Sequence, residues 1–532
     1  MKTKDALSYL KPGENFGGLI GSRYESNNMH SVRGGLYGKA NALPIDYLIY
    51  AKRASFGDIT LADGGTDDYK KVDNDETVDT VYLNLGWNIS DEQRLSFSVF
   101  DFEEELTTVW QTLYHYESDT PIYGKLKQTD YVADYSYESV ANSLLNLNMK
   151  LYVSNASYDR GFLSTTSGDQ VDYENKDRRW GLDIKNVAEF ETGSISHMLL
   201  TGLDYKNRKE DAIYVKNGAT SDFGSMPNQY NDWGLYVQDI MSIQRLEVTL
   251  GGRFDLFDRS LDRTNSTDYK DHRFSPRIAT AYELFNGLHL LLGYSESFRA
   301  PTPHETSSKG ALNPHYYYLE NPDLKAETAK EFEGGFSYLS SNLLTEHDAL
   351  YIKATVFDGK IENMITLEKL PELGNPPEST MYAQYQNIKN ARRKGYEISA
   401  KYLIDEFLLQ SSYEHLDIYD EETKQNASQG FADKLNVTTT YTNDILGLEL
   451  KVGVDHWFKP KQNPKTIVSR GKTYTYVDQE FTQVNFAGKW NMGNAGLGID
   501  YLDDVTVKFG VKNIFDKKYI NARFTNGTSR VG

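Results

Sequence analysis

Thr77–Ile89 reads TVDTVYLNLGWNI, and its period is two. Val78, Thr80, Tyr82, Asn84 and Gly86 fall on one face, and Asp79, Val81, Leu83, Leu85 and Trp87 on the other. Successive strand side chains point to opposite faces, so this alternation predicts a β-strand. Ser90-Asp91-Glu92-Gln93 then makes a tight turn. Arg94–Glu103 (RLSFSVFDFE) returns, with Leu95, Phe97, Val99 and Asp101 set against Ser96, Ser98, Phe100 and Phe102. This is one antiparallel hairpin, and the pattern recurs along the chain.

Working outward from it, the connections sort into two lengths. Short turns fall at Glu138–Ser143, Glu191–Ser196, Ser242–Gln244, Phe285–Gly287, Ile404–Glu406 and Thr442–Leu446. Long ones fall at Phe56–Asp75, Glu104–Thr129, Tyr158–Asn175, Asn207–Asn228, Ser260–His272, Leu367–Met381, Tyr419–Phe431 and Lys459–Lys472. A soluble β-sandwich has no reason to alternate them, whereas an outer-membrane barrel has short periplasmic turns and long extracellular loops. Runs between turn signals number about 21, and bacterial barrels have even strand counts. The expectation is all-β: a transmembrane up-and-down antiparallel β-barrel of the 22-stranded type, with about 21 strands present and the closing strand missing.

Composition agrees. The chain has 532 residues, no cysteine, 39 tyrosines and only 14 prolines, which suits a large β-structure. The net charge of −19 comes with no basic stripe, which argues against nucleic acid as a partner. No run approaches 18 apolar residues, so no membrane helix is expected, and barrel strands need none. Met1–Tyr9 is polar and carries no signal peptide. Trp87, Tyr236 and Trp457 are expected near the membrane interfaces.

The densest chemistry lies in Phe298–Glu327, FRAPTPHETSSKGALNPHYYYLENPDLKAE. Its prolines exclude a central strand or a long helix and predict a stiffened loop. Phe298-Arg299-Ala300-Pro301 and Asn321-Pro322-Asp323-Leu324 bracket His304, His315 and Tyr316-Tyr317-Tyr318. This arrangement resembles the FRAP and NPNL/NPDL boxes of TonB-dependent outer-membrane receptors for haem and haemoproteins. Lys512–Tyr519 (KNIFDKKY) resembles the segment before that family's last strand. The resemblance covers nearly the whole chain as the barrel, residues 15–532, with the C-terminal strand truncated. Residues 1–14 would be a remnant of the plug–barrel junction, the plug itself being absent.

The resemblance implies an outer-membrane receptor that captures haem or a haemoprotein at its extracellular loops for TonB-dependent import. Haem is then a transported ligand and not an intrinsic cofactor. The implied partners are the haem source, the lipid outer membrane, and the TonB-ExbB-ExbD complex acting through the missing plug and TonB box. His315 is the candidate haem-iron ligand and His304 the second choice; Tyr316, Tyr317 or Tyr318 would substitute or stack. Both histidines are otherwise solvated loop residues. Phe298, Arg299, Ala300, Pro301, Asn321, Pro322, Asp323 and Leu324 read as scaffold, with Arg299 a fork donor to a carboxylate. A ferric-siderophore receptor is the alternative within transport; a passive pore or a non-functional gene remnant is the alternative outside it. No His-Glu-x-x-His, phosphate-cradling loop or Gly-x-Ser-x-Gly is present, so no enzyme is expected.

Overall fold

The computed structural model describes residues 4–40, 43–60, 71–109, 121–163, 168–221, 228–261, 268–311, 316–376, 380–387, 390–424, 432–459, 465–469, 472–476, 480–495 and 502–517. One antiparallel sheet of 22 strands dominates it. Ala219–Ser221 is a three-residue extension on Ile195–Lys216. The remaining 21 (22 less that one) pair in sequence order, from Phe16–Glu25 to Thr506–Val511, as an up-and-down wall. Thr77–Ile89 lies almost wholly within the strand Asn74–Asn88, and Arg94–Glu103 within Gln93–Val109. Among the described residues no pairing joins the first wall strand to the last. Lys11 Nζ nevertheless reaches Asp504 Oδ1 at 2.5 Å, from the N-terminal side to the C-terminal side of the wall.

The barrel is inside out relative to a soluble protein. Val81, Leu83, Leu85 and Trp87 are 40–51% exposed, while Asn84 and Ser98 between them are 3–4% exposed. Apolar side chains on the exposed face and polar ones on the enclosed face are what lipid outside and water inside require. The inner face carries charge pairs such as Arg253 with Asp204 (2.6 and 3.0 Å) and Arg208 with Asp177 (2.9 Å). Trp180, Tyr205 and Trp233 form an outward aromatic row with ring centroids 4.8 and 4.3 Å apart, as at a membrane–water interface. Trp87 lies near the opposite end, beside the turn at 89–92.

Tyr236 corrects an expectation. Its neighbours Leu235 and Val237 are about half exposed on the lipid face, so Tyr236 faces the lumen, 5.7 Å from the Arg253 guanidinium. Trp457 also lies on the lumen side, sharing its face with Asp455, which accepts from Asn436. It stacks on Phe481 at 4.4 Å. Aromatic identity marks an interface only when strand parity points the ring outward.

The short turns gather at one end. At Gly287 φ is +81°, and a Cβ there would meet Leu339 O at 2.0 Å, so only glycine fits. At the other end several expected long loops are partly strand. Gln170–Thr192 and Ile195–Lys216 run 23 and 22 residues, about twice what crossing a membrane needs. Segments assigned to Glu104–Thr129, Tyr158–Asn175 and Asn207–Asn228 are therefore largely projecting hairpins. Beyond the membrane both faces meet water, so hydrophobic alternation fades while the backbone ladder continues. Cross-strand ion pairs such as Lys127–Glu103 (2.9 Å) take its place.

Candidate ligand-capture site

The site stands at the long-loop end. The strand Leu288–Arg299 rises from the short turn at Gly287, and Phe298 and Arg299 are its last residues rather than loop. Phe298 stacks on Phe257 at 5.3 Å. Arg299 spreads its guanidinium between two carboxylates. Nε and Nη2 donate to Glu327 (2.6 and 2.9 Å), and Nη1 and Nη2 donate to Glu305 (2.9 and 3.0 Å). Such paired forks are geometry that only arginine provides. Glu327 Oε1 also accepts the Ile365 amide at 2.7 Å.

Pro303–Ser307 is a short helix, α1, where the sequence predicts only loop. Proline at its first position and a capping box explain it: the Thr302 hydroxyl accepts from Glu305 N (3.2 Å), and Glu305 accepts from Thr302 N (2.8 Å). Pro301, Pro303, Thr306 and Ser308 are buried. The His304 ring packs 5.7 Å from Tyr318 and 5.3 Å from Tyr385, with Nδ1 at 2.9 Å from Ser308 Oγ. Burial lowers the His304 pKa below its usual value, so the ring is neutral at neutral pH. Burial alone would raise Glu305, but Arg299 and the Thr302 amide hold it below the usual carboxylate value. The Tyr385 phenol is pushed up to about 12 by burial, then by Tyr318 and Glu305.

The second half of the motif forms a small sheet with a different loop. Tyr316–Leu319 pairs in parallel with Met381–Gln384 of the strand Met381–Asn387, whose residues Ala383–Asn387 pair antiparallel with Ile365–Lys369. Asn321 Nδ2 donates to Tyr385 O (2.8 Å) and Gln384 Nε2 to Glu320 O (2.8 Å). Asn387 accepts the Lys325 amide and donates back to its carbonyl (2.8 and 3.0 Å). Leu324 and Ala326 are almost fully buried. Tyr317 meets Tyr382 edge to face at 5.3 Å, and both are half-buried. The two loops thus form one body. The stretch Leu367–Met381 is not a plain connection: Ile365–Lys369 is strand and Pro371–Leu373 a 3₁₀ turn. The alternation in Met381–Asn387 (MYAQYQN) is the signal for its last strand. His315 lies outside the described residues.

This packing carries a pH dependence. The folded pKa of His304 lies below its unfolded value of about 6.5. Its contribution is therefore complete above that pH and lost as pH falls toward the folded value. Glu305 is also depressed, so its contribution persists above the unfolded carboxylate value of about 4.3 and is lost below it. Protection of the Asn321 and Lys325 amides, taken as exchange corrected for its intrinsic pH dependence, is expected to fall as pH drops below about 6.5, the unfolded histidine value. Wall amides such as Val237 should not follow; equal loss in both would remove His304 as the cause.

A family model described as TonB dependent receptor-like, beta-barrel, matches residues 55–514. The chain belongs to the TonB-dependent receptor β-barrel family. That is a family of outer-membrane receptors and transporters, as the lipid-facing wall requires. The receptor barrel is 26% identical over 370 residues to the heme/hemopexin utilization protein C of Haemophilus influenzae, covering 66% of this chain and 49% of that protein. It is 24% identical over 437 residues to the ferrioxamine B receptor of Salmonella typhimurium, covering 75% and 56%. The chain thus spans about half the length of these curated relatives. Its fold matches the hemophore receptor HasR of Serratia marcescens, solved as a double mutant with its hemophore HasA and heme. The TM-score is 0.78 at 17% identity, over 97% of this chain and 80% of that one.

Proposed function

We propose that the receptor barrel captures haem, free or delivered by a haemoprotein, at its long-loop end for TonB-dependent import. The observation that carries this reading is the loop body at the mouth. Arg299, Glu305 and Glu327 bolt it to the wall, and it holds Tyr317 against Tyr382 and Tyr316 against Tyr318 on a fixed support. Rigid presentation reduces the ordering entropy that capture must overcome, and porphyrin takes aromatic surface plus an axial imidazole or phenolate. The relative named for heme and hemopexin utilization supports it. His315 is the proposed axial ligand. A second reading, a ferric chelate, is favoured by the likeness to the ferrioxamine B receptor.

The test is haem titration of the full-length receptor followed by its Soret band. His315→Ala is expected to weaken binding about tenfold and shift the spectrum, because nonspecific porphyrin contact does not replace an axial ligand. A ligand supplied by another part of the receptor would keep the loss partial. An unchanged spectrum would move the ligand role to Tyr316, Tyr317 or Tyr318. Absence of haem binding alongside uptake of a ferric chelate would establish the second reading instead.

A further inference from the structure

A second polar constellation lies on the lumen wall near the short-turn end, far from the loop body. Asp46 is 1% exposed and carries a carboxylate there. Arg94 meets it with two bonds, Nη1 at 2.7 Å and Nη2 at 3.0 Å, and Nη1 also donates to Asn88 Oδ1 at 2.8 Å. The guanidinium lies across Gly86: a Cβ there would fall 2.2 Å from Arg94 Nη2 and 2.7 Å from Asp46 Oδ2. Gly86 is the small residue in the alternating stretch TVYLNLGWNI, and this contact accounts for it. A buried ion pair is weak evidence for stability, because desolvation offsets much of the attraction. Its use here is specificity, and its remaining valence shows for what.

Arg94 Nη2 reaches Asp5 Oδ2 at 3.3 Å. The other oxygen of Asp5 accepts from Ser8 N (3.0 Å) and Ser8 Oγ (2.8 Å), capping the turn Ala6–Ser8. One carboxylate therefore folds the segment and fastens it to the wall. Around it, Tyr82 donates to Lys4 O at 2.7 Å, Ala6 is fully buried, and Tyr9 packs on Tyr37 at 5.3 Å. We propose that Asp46, Gly86, Asn88 and Arg94 form a docking seat on the lumen wall for the segment Lys4–Tyr9. The seat fixes the place on the barrel's circumference at which this segment lies against the lumen wall.

The chain has no cysteine, so single thiols report the docking cleanly. In the folded barrel, Ala6→Cys is expected to react with a maleimide at least about tenfold slower than Leu7→Cys, a protection that reports local opening. Adding Asp5→Asn, or Gly86→Ala to push the guanidinium off its seat, should bring the two rates together. Asp5→Asn leaves the Arg94–Asp46 pair intact, so heat-modifiable gel mobility should stay that of a folded barrel. Arg94→Ala should release the segment as well, though it also leaves Asp46 buried without its partner. Hydrogen exchange at the Ser8 and Tyr9 amides gives the same readout without a thiol. Ala6→Cys reacting as fast as Leu7→Cys from the start, or remaining protected in both Asp5→Asn and Gly86→Ala, overturns the proposal.

Discussion

Arg299→Ala is expected to free the loop body from the barrel rim while leaving the barrel folded. The guanidinium makes four bonds to two carboxylates, and Glu305 and Glu327 are only 12% and 19% exposed. Without it, two negative charges face each other, the helix α1 loses its tie to the wall, and the Ile365 amide loses a well-held acceptor. Breaking a buried pair from one side costs about 3–5 kcal/mol. Arg299 is itself 43% exposed, and solvent screening reduces this to roughly 2–4 kcal/mol. Arg299→Lys should recover less than half of that, because a point charge cannot fork to two carboxylates. Hydrogen exchange at the Asn321, Lys325 and Ile365 amides reads the release directly. Protection unchanged in Arg299→Ala would mean that the parallel pairing of Tyr316–Leu319 with Met381–Gln384 holds the body alone. Ligand affinity should fall in the same order as protection: wild type, then lysine, then alanine.

Val237→Arg is expected to destabilise the whole barrel by about 2–4 kcal/mol, as a charge near the bilayer midplane does. Val237 lies between the aromatic row at Trp233 and the turn after Ile243, and its side chain faces lipid. The adjacent Gln238 faces the lumen, so Gln238→Arg, one residue away on the same strand, should cost far less than Val237→Arg. The measurement is the urea midpoint of unfolding from lipid vesicles, followed by tryptophan fluorescence. Equal losses from the two substitutions would contradict the assigned facing of this strand.

Much of the wall was legible because a strand's period is local. Thr77–Ile89 alternates, and the observed strand Asn74–Asn88 contains nearly all of it; the sorting of short and long connections matches the two ends of the barrel. Where the surroundings no longer differ between faces, that signal vanishes. Gln170–Thr192 continues well beyond the membrane, and only its hydrogen-bonded neighbours show that it does. Tyr236 and Trp457 depart from the interface expectation for a related reason: residue type is local, but facing depends on which parity the curled sheet turns outward.

The site divides the same way. The two boxes around His304 and His315, the tyrosine run and the fork-forming Arg299 stand in one stretch and were visible as a motif. The choice of Glu305 and Glu327 from among 76 acidic residues was not visible, nor was the recruitment of Met381–Asn387 from the next loop. The seat of Asp5 on Arg94 bridges residues 89 apart in sequence and left no trace beyond a glycine in an alternating strand. Backbone geometry sets strand period and turn chemistry residue by residue, so sequence alone carries them. Which charges meet is decided only when the sheet curls and brings distant strands and loops within hydrogen-bonding reach.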